Sequence, residues 1–156
     1  MSKTSSALAS LTALVATLVA TGIHHIFRLG PALILPTVIG VAVPVVLWLL
    51  HARTGKPALL WAYAAYAALV VFWFGFLDGF LDHVAKAAGM ENVTFLPGSE
   101  EEIVATAMQL WSPSATTAFY EGTGILSAAL ALLTLITTGL YLYRELPARS
   151  AMRTEM

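Results

Sequence analysis

Residues 72–86, FWFGFLDGFLDHVAK, end a long apolar run with an abrupt group of ionisable side chains: Asp78, Asp82 and His83. Such groups are costly inside a membrane, and they usually face a protein interior or a cavity, where they pair or bind a ligand. In an α-helix Asp78 and Asp82 share one face, whereas His83 lies about 100° round the helix from Asp82. The stretch therefore predicts a polar site in an apolar helix bundle.

The composition supports a membrane setting. The chain has 156 residues, of which 58% are hydrophobic and 11% are charged, and its mean hydropathy is +0.79. A soluble domain carries about 25% charged residues, so these values favour an integral membrane protein. The chain has no cysteine, which excludes disulfides, thiolate metal ligands and dithiol redox chemistry.

We expect an all-α integral membrane protein that forms one domain over residues 1–156, with four transmembrane helices. A span needs about 20 apolar residues. Between the third and fourth spans, Ser99 and Glu102 have capping-box spacing, and apolar residues follow at helical spacing. This pattern predicts a short amphipathic helix at about 99–111 on the extracytoplasmic surface, and a short, mobile tail after the last span. The four predicted spans are about 7–27, 31–51, 58–88 and 116–143.

The orientation follows from the basic residues. Lys3, Arg53, Lys56, Arg144, Arg149 and Arg153 fall on one predicted side, and only Arg28 and Lys86 fall on the other. The positive-inside rule then predicts cytoplasmic termini and an extracytoplasmic acidic connection. We expect the bacterial inner (plasma) membrane as the location.

This topology brings ionisable residues of three helices to one depth, at the outer end of the bundle. Imidazole and carboxylate together are the ligand set of copper, zinc, iron and manganese, and ligand type alone does not separate these metals. Because the adjacent His24 and His25 point about 100° apart, we expect only one of them to face inward. We predict a transition-metal site formed by His24, His25, Asp78, Asp82, His83 and Glu121, with Arg28 and Lys86 as surrounding partners.

The motif itself is only moderately specific. The sequence contains neither a Glu-x-x-His pair nor an H-E-x-x-H motif. Its Asp-x-x-x-Asp-His run is similar in ligand types to the intramembrane copper sites of particulate methane monooxygenase subunits. That likeness is confined to one short motif and assigns no family.

Two alternatives use the same residues. In the first, the polar residues form a structural network: Lys86 pairs with Asp82 one turn away, and Arg28 reaches Asp78 or Glu121. The three acids and two bases of the cluster leave a charge of −1 when the histidines are neutral, and a proton would balance it as well as a metal. The protein would then be an accessory or assembly subunit of a membrane complex. The second alternative is a haem- or quinone-binding protein with histidine ligands.

The expected partners are the lipid bilayer and other membrane subunits or a second copy, contacted through small-residue helix faces. No feature of the chain indicates nucleic-acid binding. Whether the protein is an enzyme is left open by the sequence.

Overall fold

The computed structural model describes residues 3–90, 108 and 110–154, with side chains for residues 4–90, 108 and 110–146. The regular elements of the described residues are all helical, and four helices are long and apolar enough to cross a membrane. This confirms the predicted all-α class and the number of spans. The helices are α1 (Lys3–Leu29), α2 (Ile34–Thr54, preceded by a 3₁₀ turn at Pro31–Leu33), α3 (Pro57–Ala87) and α4 (Pro113–Thr154).

Glycine and proline set the two tight connections. Gly30 has a φ of 98°, which an L side chain would rarely adopt, and Pro31 follows it at the start of the next turn. Gly55 ends α2 in the left-handed conformation with a φ of 64°, and its N–H donates to the His51 carbonyl at 2.8 Å. Pro57 then opens α3. We call the two ends of the bundle the Gly30 end and the Gly55 end.

Helix α1 packs most extensively against α4, and a regular stripe of mostly small side chains, with larger aromatic residues and a histidine towards its ends, forms this contact. The buried positions alternate between steps of three and four residues, which is the spacing of a coiled-coil seam. Small residues replace the usual leucines and let the two helices approach closely. The α1–α4 seam consists of Ser6, Ser10, Ala13, Thr17, Ala20, His24 and Phe27 on α1, and Tyr120, Gly124, Ser127, Ala131, Thr134, Thr138 and Tyr141 on α4.

Hydroxyl groups bridge the seam towards the Gly55 end. Ser10 Oγ lies 2.8 Å from Tyr63 Oη and 2.9 Å from Thr138 Oγ1. Seven residues further along α1, Thr17 Oγ1 lies 2.9 Å from Thr134 Oγ1. Each hydroxyl can both donate and accept, so buried hydroxyls satisfy one another across the two helices.

Helix α2 contains a proline whose missing N–H is replaced from another helix. Pro44 cannot donate to the carbonyl of Gly40, one turn earlier. Tyr66 of α3 donates its hydroxyl to that carbonyl at 2.8 Å. The freed carbonyl therefore links α2 to α3, although α2 is otherwise the most exposed helix, with 6% of its span buried.

The second half of α3 departs from α geometry. Residues Val71–Val84 form a π-helix, in which each N–H bonds the carbonyl five residues back, and Ala85 continues the pattern by donating to Phe80. Because each turn takes up more residues, residues five apart lie closer to one face than in an α-helix. The predicted angle of about 100° between Asp82 and His83 assumes an α-helix and does not apply to this segment. Asp78, Asp82 and His83 are all buried.

The predicted surface helix at 99–111 falls mainly outside the described residues. The described part is not helical: Met108 lies outside any helix, and Leu110 and Trp111 form a bend. The Met108 N–H donates to the Phe27 carbonyl at 2.9 Å, and the Trp111 ring stacks on the Phe27 ring with centroids 5.9 Å apart. The chain that enters α4 is therefore tied to the end of α1. The Ser99–Glu102 capping box lies outside the described residues.

Helix α4 is longer than predicted. It continues through Thr154, whereas the sequence predicted a span that ends near Tyr143 and a mobile tail beyond it. The backbone of the tail is helical up to that residue.

Candidate metal centre

Three buried side chains from two helices bring potential ligand atoms together at the Gly30 end. His24 comes from α1, and Asp78 and His83 come from the π-helical part of α3. One ligand atom from each residue lies within 4.8 Å of the other two. We call these three residues the His/Asp cluster.

His83 is held against α4 by a glycine and a carboxylate. Its ring packs where a Cβ on Gly124 would overlap it, so only glycine leaves room for the imidazole. Its Nδ1 lies 2.8 Å from Glu121 Oε2, and because a carboxylate accepts, Nδ1 carries the proton. Lys86 donates to the other oxygen of Glu121 at 2.8 Å. In the neutral ring, His83 Nε2 is therefore left as a lone pair facing the cluster.

His24 is oriented in the same way by a hydroxyl. Its Nδ1 lies 2.9 Å from Thr123 Oγ1, and Thr123 directs its own proton to the Phe119 carbonyl at 2.8 Å. The hydroxyl must therefore accept from the Nδ1–H of His24, which leaves Nε2 as a lone pair. The Tyr120 ring stacks on the His24 ring with centroids 4.5 Å apart and meets the His83 ring edge-on at 4.9 Å.

With neutral imidazoles and an ionised Asp78, the cluster presents acceptors and no donor. Its atoms without a hydrogen-bond partner among the described residues are His24 Nε2, His83 Nε2 and both carboxylate oxygens of Asp78. Outside the cluster, Oδ1 of Asp82 and the hydroxyls of Thr21 and Thr116 are also buried without such a partner. Acceptors cannot satisfy one another, and each unsatisfied buried polar group costs about 1–3 kcal/mol. Folded proteins rarely carry several such groups together. A cation fits this arrangement, since it is attracted by every atom in it.

The other predicted ligands lie round the cluster. His25 faces away from the α1–α4 seam: its Nδ1 donates to the Thr21 carbonyl at 2.9 Å, and its Nε2 lies 3.8 Å from Asp78 Oδ1. Glu121 contacts His83 and Lys86 and so orients one cluster residue from outside. The Lys86 contact across helices differs from the pairing with Asp82 that the sequence suggested.

Arg28, predicted as a surrounding partner, lies over the Tyr120 ring, with its guanidinium carbon 5.8 Å from the ring centre. It therefore contributes positive charge to the wall of the site through an aromatic side chain. His51, which the sequence assigned to the membrane boundary, is buried at the Gly55 end. Its Nδ1 donates to the Lys56 carbonyl at 3.0 Å, far from the cluster.

Sequence reasoning missed Thr123, Tyr120 and Gly124, which orient and enclose the histidines. A usable signal was present in α1, where Ser10, Thr17 and His24 recur every seven residues. That repeat places His24, rather than His25, on the face that meets α4.

Comparison with known proteins gives no relative to extend this description: no protein-family model, no curated protein and no solved structure matches the chain.

Proposed function

We propose that this protein is an integral membrane protein that binds one transition-metal ion at the Gly30 end of its helix bundle. The ligands are Nε2 of His24, Nε2 of His83 and the carboxylate of Asp78. We propose Asp82, which is buried on the same helix as Asp78, as a further ligand outside this group of three. The observation that carries the proposal is the convergence of buried lone pairs that have no hydrogen-bond partner among the described residues. A bound cation removes the cost of burying them.

The partners of the imidazoles support this role. A metal-binding histidine usually donates its other N–H to a carboxylate, a hydroxyl or a carbonyl, and this contact sets the tautomer and the ring orientation. Glu121 does so for His83 and Thr123 for His24. A metal with bonds of ~2.1 Å separates two of its ligands by at most ~4.2 Å, so ligand atoms that lie within 4.8 Å of one another need only a small side-chain movement to bind one ion.

The types of ligand atom restrict which metals the site can bind. Two imidazoles and one or two carboxylates suit zinc, iron, manganese and divalent copper, whereas a site for monovalent copper favours sulfur ligands. Two histidines and one carboxylate also leave coordination positions open for water or a substrate. We therefore favour a metal-handling or metal-dependent redox role over a purely structural ion.

The alternatives explain the geometry less well. A structural polar network would hydrogen-bond its members, but the Asp78 oxygens have no hydrogen-bond partner among the described residues, and their ion-pair contact to His25 is long, at 3.8 Å. A haem with two histidine ligands holds them on opposite faces of a macrocycle, whereas the His24 and His83 rings meet edge to face with centroids 4.9 Å apart. A role as a subunit of a larger complex is compatible with metal binding, since the exposed α2 offers a surface to lipid or to a partner.

Elemental analysis of protein purified in detergent without chelators tests the proposal. We expect about one transition-metal ion per chain in the wild type, and its loss in His24→Ala, Asp78→Ala and His83→Ala. His51→Ala is the matched control, because it removes a buried histidine at the opposite end and should leave the metal content unchanged. A metal-free wild type that regains no ion when Zn²⁺, Fe²⁺, Mn²⁺ or Cu²⁺ is added would refute the proposal.

We further propose that both termini are cytoplasmic and that the Gly30 end faces outward, in agreement with the distribution of basic residues. Reporter fusions after Thr54 and after Ser99 should report opposite compartments. Equal signals from the two fusions would contradict this orientation without bearing on the metal site.

A further inference from the structure

A cavity lies beside the His/Asp cluster, between α1, α2 and α3. Its volume is about 490 Å³, within the usual range for small-molecule sites, and it is partly open to the outside of the bundle. Its walls are mainly apolar and aromatic, with Trp73 and Phe74 on one side and Gly40 and Leu18 on the other. We call it the α1–α2–α3 cavity.

Five side chains with polar groups line this cavity: Thr21, His25, Thr37, Tyr66 and Trp73. Three of them donate a proton to a backbone carbonyl. Tyr66 donates its hydroxyl to the Gly40 carbonyl at 2.8 Å, and Thr37 donates to the Leu33 carbonyl at 2.8 Å. His25 donates Nδ1–H to the Thr21 carbonyl, so Nε2 of the neutral ring is a lone pair. At 3.8 Å from Asp78 Oδ1, this Nε2 is too far away for a hydrogen bond. His25 therefore offers a ligand in the cavity an acceptor.

We propose that the α1–α2–α3 cavity binds a lipid-soluble phenol or hydroquinone, with the ring hydroxyl donating to Nε2 of His25. The half-buried imidazole supplies the acceptor, and the aromatic walls suit the ring. A quinone or another carbonyl compound offers only acceptors and cannot bond to this nitrogen. At the His25 nitrogen the hydroxylated form is therefore preferred over the oxidised form.

The α1–α2–α3 cavity lies next to the proposed metal centre. The imidazole of His25 separates the cavity from Asp78, and its Nε2 is 3.8 Å from one of the proposed metal ligands. The ligand hydroxyl would thus approach the same nitrogen of His25 that lies near Asp78 of the His/Asp cluster. Binding in the cavity requires no metal, so the two proposals can be tested separately.

The test compares a phenol with its methyl ether, which keeps the ring and loses the donor. Chelator-treated, metal-free protein in lipid nanodiscs is titrated with 2-fluoro-4-octylphenol or with its methyl ether, and binding is followed by ¹⁹F NMR against protein-free nanodiscs. We expect the phenol to bind about fivefold more tightly than the ether, which is the contribution of one ordinary hydrogen bond. His25→Phe should bring the ratio close to one, because it keeps an aromatic ring and removes the acceptor.

Two further variants test whether the compounds bind in the α1–α2–α3 cavity. Gly40→Leu should fill the cavity and abolish binding of both compounds, since a Cβ at Gly40 meets only Tyr66 Oη at 3.5 Å and Leu18 at 4.0 Å and the helix can remain in place. Leu132→Phe alters the separate groove between α3 and α4 and should leave binding unchanged. Equal affinity of phenol and ether for the wild type, or binding that persists in Gly40→Leu, would overturn the proposal. Neither outcome bears on metal content.

Discussion

The two halves of the α1–α4 seam use polar residues in opposite ways. Towards the Gly55 end, Ser10, Thr17, Thr134 and Thr138 form hydroxyl-to-hydroxyl bridges at 2.9 Å, so the donors and acceptors are matched within the protein. At the Gly30 end, the same helices and α3 bury imidazole and carboxylate acceptors that no described residue satisfies. The polar groups of one half therefore satisfy one another, whereas those of the other half lack hydrogen-bond partners among the described residues, and this is where we propose that a metal ion binds.

The difference follows from the chemistry of the side chains. A hydroxyl carries both a proton and lone pairs, so two buried hydroxyls make a complete pair. An imidazole whose Nδ1–H is already used, and an ionised carboxylate, have only lone pairs to offer. Adding more such groups increases the deficit of donors, which either a proton or the proposed metal ion would correct.

The largest effect should come from closing the space that His83 occupies. Gly124→Ala places a methyl group on the His83 ring, and the imidazole must leave the cluster. We expect at least a hundredfold loss of metal affinity, together with a loss of stability of about 1–3 kcal/mol from overpacking. Competition with a chelator and thermal unfolding measure the two effects.

Gly122→Ala is the matched control, because a Cβ at Gly122 meets nothing within 4 Å. It should bind metal like the wild type and unfold at the same or a slightly higher temperature. If Gly124→Ala also keeps full metal affinity, His83 is not a ligand and the proposed site is wrong.

A smaller effect is expected when the orienting partners are removed and the ligands are kept. Glu121→Gln and Thr123→Val each weaken the contact that sets the tautomer of one imidazole. Loss of such a partner typically lowers metal affinity 10–100-fold. Titration with Zn²⁺ should show a weakened site that still binds one ion per chain. Complete loss of binding in Glu121→Gln would instead make Glu121 a ligand.

For Asp78, the direction of the stability change distinguishes a metal site from a structural network. Asp78→Asn removes a charge and adds a donor that can reach a histidine Nε2, so the metal-free protein should become more stable, by about 1–3 kcal/mol. The same substitution should lower the stability of protein saturated with metal, because a ligand is lost. Melting temperatures with and without metal give both signs. A structural network predicts destabilisation in the metal-free state, where a buried partner would be lost.

The sequence predicted much of this architecture, because length and apolar composition are enough to recognise four candidate spans. The order of the predicted spans also placed His24, Asp78 and His83 at one depth. The sequence puts Asp78 and His83 in one site because of their depth, but it could not predict the helix geometry that brings them together, since the face assignment assumed an α-helix and Val71–Val84 is a π-helix. It likewise named Glu121 as a ligand, since composition does not distinguish a carboxylate in a cluster from one that orients a histidine beside it.

The smallest effect belongs to the paired half of the seam, and a double-mutant cycle on Thr17 and Thr134 would measure it. Thr17→Val or Thr134→Val alone leaves one buried hydroxyl without its 2.9 Å partner and should cost about 1 kcal/mol. The double variant replaces the pair by two methyl groups of similar shape and should recover most of that loss, since no polar group remains unsatisfied. Metal affinity should stay within twofold of the wild type in all three variants, because Thr17 lies two turns from His24 along α1. Thr17 also donates to the Ala13 carbonyl at 2.9 Å, so Thr134→Val should be the milder of the two single variants. Additive losses in the double variant would show that the Thr17–Thr134 contact contributes little, whereas weakened metal binding would mean that the two halves of the seam are coupled. We therefore expect the threonine variants to change the stability and not the metal affinity, whereas Glu121→Gln should lower the metal affinity. This contrast distinguishes the residues of the seam that stabilise the fold from those that support metal binding.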